Sequence, residues 1–330
     1  MREFSKTRYE DMKYKRCGHY GLKLPLVSLG LWHNFGDNAS YENMKAMCFT
    51  AFDCGITHFD AANNYGPRAG AAEINFGKIL KEELHAHRDE LIISSKAGYF
   101  MWDGPYGDGG SRKYLISSID QSLKRLGVDY VDIFYHHRMD KSTPLEETMG
   151  ALAQIVSSGK ALYVGLSNYD GKTLREASEI LRELHCPLVI NQNKYSMLDR
   201  TPESNGLLDT ADELGQGVIC FSPLAQGLLT DRYLNGIPED SRVKTDGRFL
   251  NEKAITEERL EQIRALNEIA LSRNQTLAQM ALSWVMSNER VTSVLIGASN
   301  PSQIRENAAS IGFTPFTRED LRKIDQICKI

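Results

Sequence analysis

Four polar residues lie at or just beyond the ends of three successive apolar runs, and their types suit acid–base chemistry: Asp60, Tyr65, Lys96 and His137. The three runs are Thr57 to Ala62, Leu91 to Ala97 and Val131 to His137. The strands of one parallel barrel open their carboxyl ends onto the same face, so residues far apart in sequence converge there on one pocket. A carboxylate, a phenol, an ammonium and an imidazole in such a pocket can donate a proton to a carbonyl oxygen. The spacing therefore predicts an active site.

The phenol is the predicted proton donor. The pKa of a free tyrosine is about 10, so Tyr65 is a weak acid near pH 7 unless a neighbouring cation lowers that pKa. Lys96 is expected to be that cation, and Asp60 is expected to fix and balance its ammonium. His137 is expected to orient the carbonyl group by donating a hydrogen bond, for which a neutral imidazole suffices. These residues include no nucleophile or redox centre, so the pocket needs a reductant, and a nicotinamide cofactor would supply hydride for an aldehyde or ketone.

Each of these residues, taken singly, also has a structural explanation as a loop cap, a solvated strand tip or a core aromatic. Their joint placement favours catalysis. His136 precedes His137 on the same strand, and side chains alternate across a strand, so one histidine points into the barrel and the other outward. The alternation alone does not decide which. His58 shares the face of Asp60 and is interpreted as an interior histidine with satisfied hydrogen bonds.

Short β-like runs that alternate with helical patterns must position these residues. The candidate strands are Val27–Trp32, Thr57–Ala61, Leu91–Lys96, Val131–His136, Leu162–Ser167, Leu188–Gln192, Gly217–Ser222 and Thr292–Gly297. Amphipathic stretches near the 3.6-residue period lie between them, as in Leu145 to Val156 and Leu277 to Val285. Eight strand–helix units predict an α/β fold, the (β/α)8 TIM barrel. A doubly wound sheet is the competitor, but the GxGxxG turn that normally follows a strand in such a sheet does not occur in the sequence.

Additional segments are predicted at both ends of the barrel. Met12–Cys17 and Leu22–Pro25 flank a glycine-bounded turn, which predicts an N-terminal β-hairpin that plugs one end. The connections over residues 98–111 and 223–256 are longer than ordinary turns and leave the carboxyl ends of strands, so they are interpreted as lids over the pocket. No Pro-rich or Gly/Ser-rich linker divides the chain, and residues 1–330 are predicted to form a single domain.

Composition limits the classes of partner. The chain has 330 residues, of which 42% are hydrophobic and 25% charged, as in ordinary soluble proteins. The net charge of −4 and the lack of a Lys/Arg run argue against nucleic acid or a membrane surface, which leaves a small-molecule carbonyl substrate. The sequence shows no secretory signal and no apolar run near the roughly 18 residues of a membrane span, so a cytoplasmic location is expected. The six cysteines lack a CxxC pair or zinc-like spacing, so free thiols and no metal site are expected.

The carboxyl third carries a second constellation, which is suited to anions. Gly297–Pro301 joins the last predicted strand to a helix, with Asn300 or the serine before it able to cap that helix. A helix start with free N–H groups can bind an anion, although any capped helix after a strand has this pattern. The stretch after the seventh strand, Ser222–Leu229, is followed by Arg232 and Arg242. Together these segments are predicted to clamp a pyrophosphate.

These motifs resemble those of a known family, the aldo-keto reductases. They are Gly55–Ala62 with Tyr65-Gly66, Ser94–Lys96, Tyr163–Asn168 and Val294–Ser299. The similarity is closest to the branch that contains the voltage-gated potassium channel β subunits and the bacterial L-glyceraldehyde 3-phosphate reductases. The resemblance implies that NADPH lies extended across the barrel mouth and that the four opening residues form a catalytic tetrad. It also favours His137 over His136, because His137 directly precedes Arg138.

The resemblance further implies a cofactor site along the later strands. The nicotinamide amide would contact Ser167, Asn168 and Gln192, with Tyr195 stacking nearby. The pyrophosphate would be lined by Phe221, Ser222, Leu224, Gln226, Arg232 and Arg242. The adenosine end would be held by Gly297, Ser299, Gln303, Glu306 and Asn307. Many family members place a basic side chain where this chain has Gln303, so the expected preference for NADPH over NADH rests on Ser299 and Arg242.

The hypothesis from the sequence is NADPH-dependent reduction of small aldehydes or ketones, such as L-glyceraldehyde 3-phosphate or methylglyoxal. The predicted substrate contacts are Trp32, Tyr65, Trp102 and His137. Related proteins assemble as tetramers or larger rings, so a homo-oligomer is expected.

Three other functions compete with this hypothesis. A cofactor-binding regulatory subunit is disfavoured because His137 stands where the channel β subunits carry asparagine. A lyase or aldolase would use Lys96 to form a Schiff base. A metal hydrolase is disfavoured because His33, His136 and His137 make no HxH pair on one strand.

Overall fold

Eight of the ten described strands close into a parallel barrel in the computed structural model, which describes residues 2–234, 236–238, 242–245 and 255–329, without the side chains of Arg242 and Thr245. The strands are β1 Tyr14–Arg16, β2 Lys23–Pro25, β3 Val27–Gly30, β4 His58–Asp60, β5 Ile92–Ala97, β6 Val131–His136, β7 Ala161–Ser167, β8 Leu188–Lys194, β9 Gly217–Phe221 and β10 Ser293–Ile296. Strands β3 to β10 pair in chain order, and β10 closes the barrel on β3. Parallel strands covered on both faces read as nearly continuous apolar runs, as the sequence does here. The predicted TIM barrel is confirmed.

Helices follow the strands and cover the outside of the barrel. They are α1 Tyr41–Asp53, α2 Ala71–Ile79, α3 Arg112–Leu126, α4 Leu145–Ser157, α5 Gly171–Glu183, α6 Thr201–Ser204, α7 Leu207–Glu213, α8 Arg242–Thr245, α9 Glu257–Ser272, α10 Leu277–Ser287, α11 Pro301–Ala308 and α12 Arg318–Cys328. Side-chain caps begin many of them. The two capping candidates before α11 are resolved in favour of Asn300, whose Oδ1 accepts a hydrogen bond from Gln303 N at 3.1 Å.

The predicted hairpin plug is confirmed as the antiparallel pair of β1 and β2 at the amino-terminal end of the barrel. Leu24 of the hairpin packs in the same buried cluster as Ile133 and Ile219 of the barrel strands. At Gly18, where φ is 56°, an added Cβ would lie 2.0 Å from the carbonyl oxygen of Gly215, so this turn requires glycine. The pair is shorter than predicted, because its first strand begins at Tyr14 and its second at Lys23.

Some strand and loop boundaries differ from the predictions. Strand β3 ends at Gly30 rather than Trp32, because the chain bends after Leu31 and the Trp32 ring packs on His33 with 3.9 Å between centroids. Residues 98–111 form an irregular connection from β5 to α3 at the carboxyl-terminal face, as predicted. The connection over residues 223–256 contains 3₁₀ turns and α8, and part of it lies outside the described residues.

Candidate active site

Asp60, Lys96 and Tyr65 form one hydrogen-bonded group at the carboxyl-terminal end of the barrel. The ammonium of Lys96 donates to Asp60 Oδ2 at 2.6 Å, to the carbonyl oxygen of Ala61 at 2.7 Å and to Tyr65 Oη at 3.2 Å. Asp60 and Lys96 are buried, with 1% and 0% of their surfaces exposed. All three ammonium hydrogens therefore have acceptors, and one of these acceptors is the phenol.

The strand register explains how residues 36 positions apart meet. Strands β4 and β5 are parallel neighbours in which Asp60 pairs with Ser94. Side chains alternate along a strand, so Lys96 lies on the same inward face as Ser94, one step nearer the carboxyl end. Ser94 Oγ donates to Asp60 Oδ1 at 2.7 Å and thereby adds a second donor to the carboxylate. Tyr65 is presented by the turn after β4, where its N–H donates to the carbonyl oxygen of Ala62 at 3.1 Å.

The charge state of Tyr65 corrects one expectation from the sequence. Lys96 was predicted to lower the pKa of Tyr65, but burial, and then the negative charge of Asp60, raise that pKa well above its ordinary value. Burial also lowers the pKa of Lys96, although the charge of Asp60 opposes this change. Tyr65 is therefore a neutral phenol that holds its proton at neutral pH. The Lys96 ammonium therefore donates a hydrogen bond to a protonated phenol.

His137 completes the predicted tetrad. Its ring meets the ring of Tyr65 edge-on, with 5.8 Å between the centroids. Burial, and then the positive charge of Lys96, lower the pKa of His137 well below its ordinary value, so the imidazole is neutral. Its neighbour His136 faces outward, where Nδ1 lies 2.7 Å from Tyr169 Oη. The alternation that the sequence left open is therefore resolved in favour of His137.

Aromatic side chains surround this group. The Trp32 ring lies 6.3 Å from the Tyr65 ring, as suits a predicted substrate contact. Tyr135 is fully buried beneath the pocket, and the Lys96 ammonium lies 5.7 Å from its ring centroid. A Cβ at Gly165 would lie 2.3 Å from the Tyr135 ring, so a glycine there makes room for this floor.

The residues predicted for the nicotinamide end lie next to the tetrad. Asn168 has a positive φ of 58°, and its Nδ2 donates to the carbonyl oxygen of His137 at 2.9 Å and to Ser167 Oγ at 3.1 Å. Gln192 is buried, and its Nε2 donates to Asp60 Oδ1 at 3.1 Å. The amide of Gln192 thus also binds the carboxylate of Asp60, a contact that the sequence did not indicate.

The predicted pyrophosphate segment follows β9 in a strained conformation. Ser222 and Gln226 both have positive φ, 53° and 61°, and Gln226 Nε2 donates to Ser222 Oγ at 2.9 Å. Non-glycine residues adopt this conformation at a cost and often at ligand sites. Phe221 and Leu224 are partly buried beside them, and Arg232 is exposed in the following 3₁₀ turn. The side chain of Arg242 lies outside what the structure describes.

The predicted adenosine segment follows β10. Gln303 Oε1 accepts hydrogen bonds from Ser299 N at 2.9 Å and from Ser299 Oγ at 3.2 Å. Space above Gly297 is open, since a Cβ there would have no heavy atom within 4 Å. On α11, Glu306 is exposed and Asn307 is buried. Ser299 and Gln303, both expected at the adenosine end, thus bind each other across the turn.

The family follows from comparison with known proteins. A family model described as "Aldo/keto reductase family" matches residues 26–329. The chain belongs to the aldo/keto reductase family. It is 56% identical over 322 residues to L-glyceraldehyde 3-phosphate reductase of Escherichia coli (strain K12), a match covering 97% of this chain and 93% of that protein.

Two less similar relatives of this aldo/keto reductase are named as subunits of potassium channels. It is 37% identical over 328 residues to a putative voltage-gated potassium channel subunit beta of Schizosaccharomyces pombe, covering 96% of this chain and 94% of that one. It is 35% identical over 320 residues to a probable voltage-gated potassium channel subunit beta of Arabidopsis thaliana, covering 96% of each. The family and the branch expected from the motifs are confirmed, and the protein is an oxidoreductase.

The structure places two aromatic residues of this reductase differently from the expectations. Tyr195 was expected to stack near the nicotinamide, but its side chain is buried against the Trp284 ring at 5.3 Å and hydrogen-bonds Glu203. Trp102 packs on Tyr114 of α3, with 5.2 Å between ring centroids. The residue of the 98–111 loop that touches the tetrad is Tyr99, whose ring lies 4.7 Å from that of His137.

Sequence reasoning missed Tyr99 as a functional residue, and one signal could have found it. It stands two positions beyond the end of β5, where a side chain can turn over the pocket. Arg138 holds this part of the loop, because its Nε donates to the carbonyl oxygen of Gly98 at 2.8 Å and its guanidinium lies 4.8 Å from the Tyr99 ring.

Three further findings concern metal ligands, cysteines and membrane-spanning helices in this aldo/keto reductase. Within residues 2–234, 236–238, 242–245 and 255–329, no group of three or more His, Cys, Asp or Glu side chains could hold a metal ion. All six cysteines are free thiols. Over the same part of the chain, none of the helices has the length and apolar character needed to cross a membrane.

Proposed function

We propose that the protein is an NADPH-dependent reductase of small aldehydes or ketones, such as L-glyceraldehyde 3-phosphate or methylglyoxal. The observation that carries this proposal is the Lys96 ammonium, which donates to Tyr65 Oη at 3.2 Å while Asp60 balances its charge. A phenol arranged in this way keeps its hydrogen free for an acceptor in the pocket. A carbonyl oxygen that gains electrons is such an acceptor.

Each residue of the pocket has its own role in the proposed reaction. Tyr65 gives its proton to the carbonyl oxygen as negative charge develops there, and Lys96 stabilises the resulting tyrosinate. His137 is neutral, so one ring nitrogen can donate to the same oxygen and hold the carbonyl group beside the phenol. Trp32 and Tyr99 exclude water from one side of the pocket. The buried Asp60 keeps the ammonium in place throughout.

The residues fit a nicotinamide dinucleotide laid along the carboxyl ends of β7 to β10. Ser167, Asn168 and Gln192 would hold the nicotinamide amide, and the cofactor would supply the hydride. The pyrophosphate would lie over the strained segment after β9, lined by Phe221, Ser222, Leu224, Gln226, Arg232 and Arg242. The adenosine end would contact Gly297, Ser299, Gln303, Glu306 and Asn307. Ser299 and Gln303 would exchange their mutual hydrogen bonds for bonds to a 2′-phosphate.

The choice of substrate is supported by the relative of Escherichia coli, whose name specifies L-glyceraldehyde 3-phosphate. Trp32, Tyr65 and His137 are proposed to contact the substrate, and Tyr99 takes the place on the 98–111 loop that the sequence assigned to Trp102. We also propose a cytoplasmic homo-oligomer, a tetramer or larger, with no nucleic-acid or membrane partner. Sedimentation of the purified protein measures the number of subunits.

The substitution Tyr65→Phe tests the assignment of the proton donor. It should leave NADPH binding nearly unchanged in a fluorescence titration and lower turnover of an aldehyde by a factor of about 10² or more, the scale of a lost general acid. Tyr195→Phe removes the same hydroxyl from a buried tyrosine outside the pocket and serves as the matched control, with turnover close to that of the wild type. Wild-type turnover in Tyr65→Phe would show that another group donates the proton.

A Schiff base on Lys96 is the competing chemistry. The Asp60 carboxylate and two oxygen acceptors hold Lys96 as the ammonium, and a protonated amine has no lone pair to offer a carbonyl carbon. Borohydride treatment in the presence of the aldehyde should therefore leave the mass of the chain unchanged. Covalent trapping at Lys96 would favour the lyase instead.

A further inference from the structure

A chain of hydrogen bonds runs through the interior of the barrel and ends on the catalytic carboxylate. Ser293 Oγ lies 2.7 Å from Ser28 Oγ, which lies 3.0 Å from His58 Nδ1. On the other side of the ring, His58 Nε2 lies 2.9 Å from Ser94 Oγ, which donates to Asp60 Oδ1 at 2.7 Å. The five side chains lie on four adjacent strands, β10, β3, β4 and β5, and none is more than 1% exposed.

The charge of Asp60 sets the direction of every hydrogen in this chain. An ionised carboxylate only accepts hydrogen bonds, so the single hydroxyl hydrogen of Ser94 must point at Asp60. The oxygen of Ser94 then presents a lone pair to His58, and His58 Nε2 must carry the ring hydrogen. Nδ1 is left as an acceptor for the hydroxyl of Ser28, whose own oxygen accepts from Ser293. All four hydrogens therefore point towards Asp60.

The charge state of the imidazole agrees with this direction. Burial lowers the pKa of His58 to about 4, so the ring carries one proton at neutral pH. A second ring hydrogen on Nδ1 would compete with the hydroxyl of Ser28. The sequence indicated an interior histidine with satisfied hydrogen bonds, which the structure confirms.

We propose that His58 is a positioning residue that acts on Tyr65 through Ser94, Asp60 and Lys96, and that it carries its hydrogen on Nε2. Hydrogen bonds aligned in series polarise one another in a low-dielectric interior. The series ends in a donor on Asp60 Oδ1 and holds that carboxylate in place beside the Lys96 ammonium. A carboxylate held in this way keeps the ammonium directed at the hydroxyl of Tyr65.

Other charged or titratable groups face this network and take part in its titration. Tyr65 and Tyr135 approach the Asp60–Lys96 pair from inside the barrel, and His137 lies beside Lys96. Glu73 acts on Lys96 from α2, on the outer side of β5. Substitution of His58 leaves these groups in place, so a change in the pH profile of such a variant is assigned to the series of hydrogen bonds.

The tautomer is tested by nitrogen NMR of the full chain labelled at histidine. The eight histidines give separate long-range couplings between ring protons and ring nitrogens, and His58 is assigned by its absence in His58→Gln or its displacement in Ser28→Ala. We expect the nitrogen chemical shifts of a neutral ring protonated on Nε2 at every pH from about 6 to about 8. A ring protonated on Nδ1, or a doubly protonated ring, would overturn the inference.

The link to catalysis is tested by the pH profile of turnover, and this test alone rests on the proposed function. Ser94→Ala should move the acid limb upward by about one pH unit, because the hydrogen-bonded group of Asp60, Lys96 and Tyr65 loses a donor, and His58→Leu should move it by about half a unit. His58→Gln restores an N–H near the position of Nε2 and should return the limb towards that of the wild type.

Ser95→Ala is the matched control, since this neighbouring serine bonds Glu73 outside the barrel. Its acid limb should coincide with that of the wild type. Coincidence of the His58→Leu and wild-type limbs would refute the positioning role. Failure of the proposed function would instead appear as wild-type turnover in Tyr65→Phe, with the tautomer of His58 unaffected.

Discussion

Two buried ion pairs lie on either side of strand β5, one inside the barrel and one outside. Inside, Asp60 binds Lys96 at 2.6 Å, and outside, Glu73 binds Arg125 Nε at the same distance. Both carboxylates are almost fully buried, with 1% and 0% of their surfaces exposed. Each also accepts a hydrogen bond from one of the two consecutive serines of β5. The two sites thus have nearly the same local chemistry.

The cations make the difference. Two other nitrogens of the Arg125 guanidinium donate hydrogen bonds to Gln121 and Ser122 of the same helix, α3. The ammonium of Lys96 donates one of its hydrogen bonds to Tyr65, whose hydroxyl faces the pocket. An ion pair whose cation binds only side chains outside the pocket has a structural role. The inner pair differs because one donor binds Tyr65, the group that we propose as the proton donor.

Removing each cation in turn tests most directly whether the two ion pairs differ in role. Lys96→Met should lower turnover by a factor on the order of 10³, because the tyrosinate loses its stabilising charge and the phenol loses acid strength. Arg125→Met removes a similar charge outside the barrel and should leave turnover per folded molecule unchanged. Steady-state rates normalised to folded protein decide the matter. Equal losses in the two variants would mean that the inner pair has no special role.

The same outer pair should dominate stability. Arg125→Met leaves Glu73 buried without its partner and should lower the free energy of unfolding by about 3–5 kcal/mol. Adding Glu73→Gln removes the uncompensated charge, so the double variant should recover much of the loss. Urea denaturation of the three proteins measures both changes. A double variant less stable than the single one would contradict a charge-based cost.

The inner and outer histidines should make folding sensitive to acid. Burial lowers the pKa of both His58 and His136 to about 4, whereas an unfolded histidine titrates near 6.5. The unfolded chain therefore binds these protons first, and stability that is fully present above about pH 6.5 falls as the pH drops towards 4, by about 3 kcal/mol for each residue. Thermal denaturation across this range measures the slope. His136→Gln should reduce the slope, and an unchanged slope would mean that His136 does not contribute.

The smallest effect concerns the outer serine. Ser95 Oγ donates to Glu73 at 2.5 Å, so Ser95→Ala should lower the free energy of unfolding by about 2 kcal/mol, the scale of a hydrogen bond to a charged group. Arg125 still pairs with Glu73 in this variant, which keeps the loss below that of Arg125→Met. Chemical denaturation at pH 7 measures it. A loss equal to that of Arg125→Met would mean that the serine, and not the arginine, holds the carboxylate.

Much of the fold was predictable because its signals are local. Each of the eight apolar runs became a barrel strand, and the turn between β10 and α11 carries its cap in adjacent residues. The convergence of Asp60, Lys96 and His137 was predictable for the same reason, since they stand at or next to strand ends, where a parallel barrel opens. The strand ends were less accurate, as at Trp32, because a bend after a strand depends on what the next side chain packs against.

Contacts that cross the barrel were not predictable. Gln192 was assigned to the cofactor, yet its amide also binds Asp60, 132 residues away in sequence. Tyr195 was expected near the nicotinamide, but the outer helices hold its side chain. The pKa of Tyr65 was expected to fall, and it rises because of burial and the negative charge of Asp60. Each of these outcomes depends on the sum of many neighbours and not on the identity of one.

The amino-acid sequence by itself determined the alternation of strands and helices and the chemical types available at the strand ends, because hydrophobic period and turn chemistry act over a few residues. The closed barrel decided the rest. Only the closed barrel places Ser293, Ser28, His58 and Ser94 in one series of hydrogen bonds that ends on Asp60. Aligned hydrogen bonds polarise one another in this series because its side chains are buried in a low-dielectric interior. The surroundings of a group are a property of the folded whole, and two ion pairs of similar local chemistry therefore face different neighbours, the phenol of Tyr65 inside the barrel and helix α3 outside it.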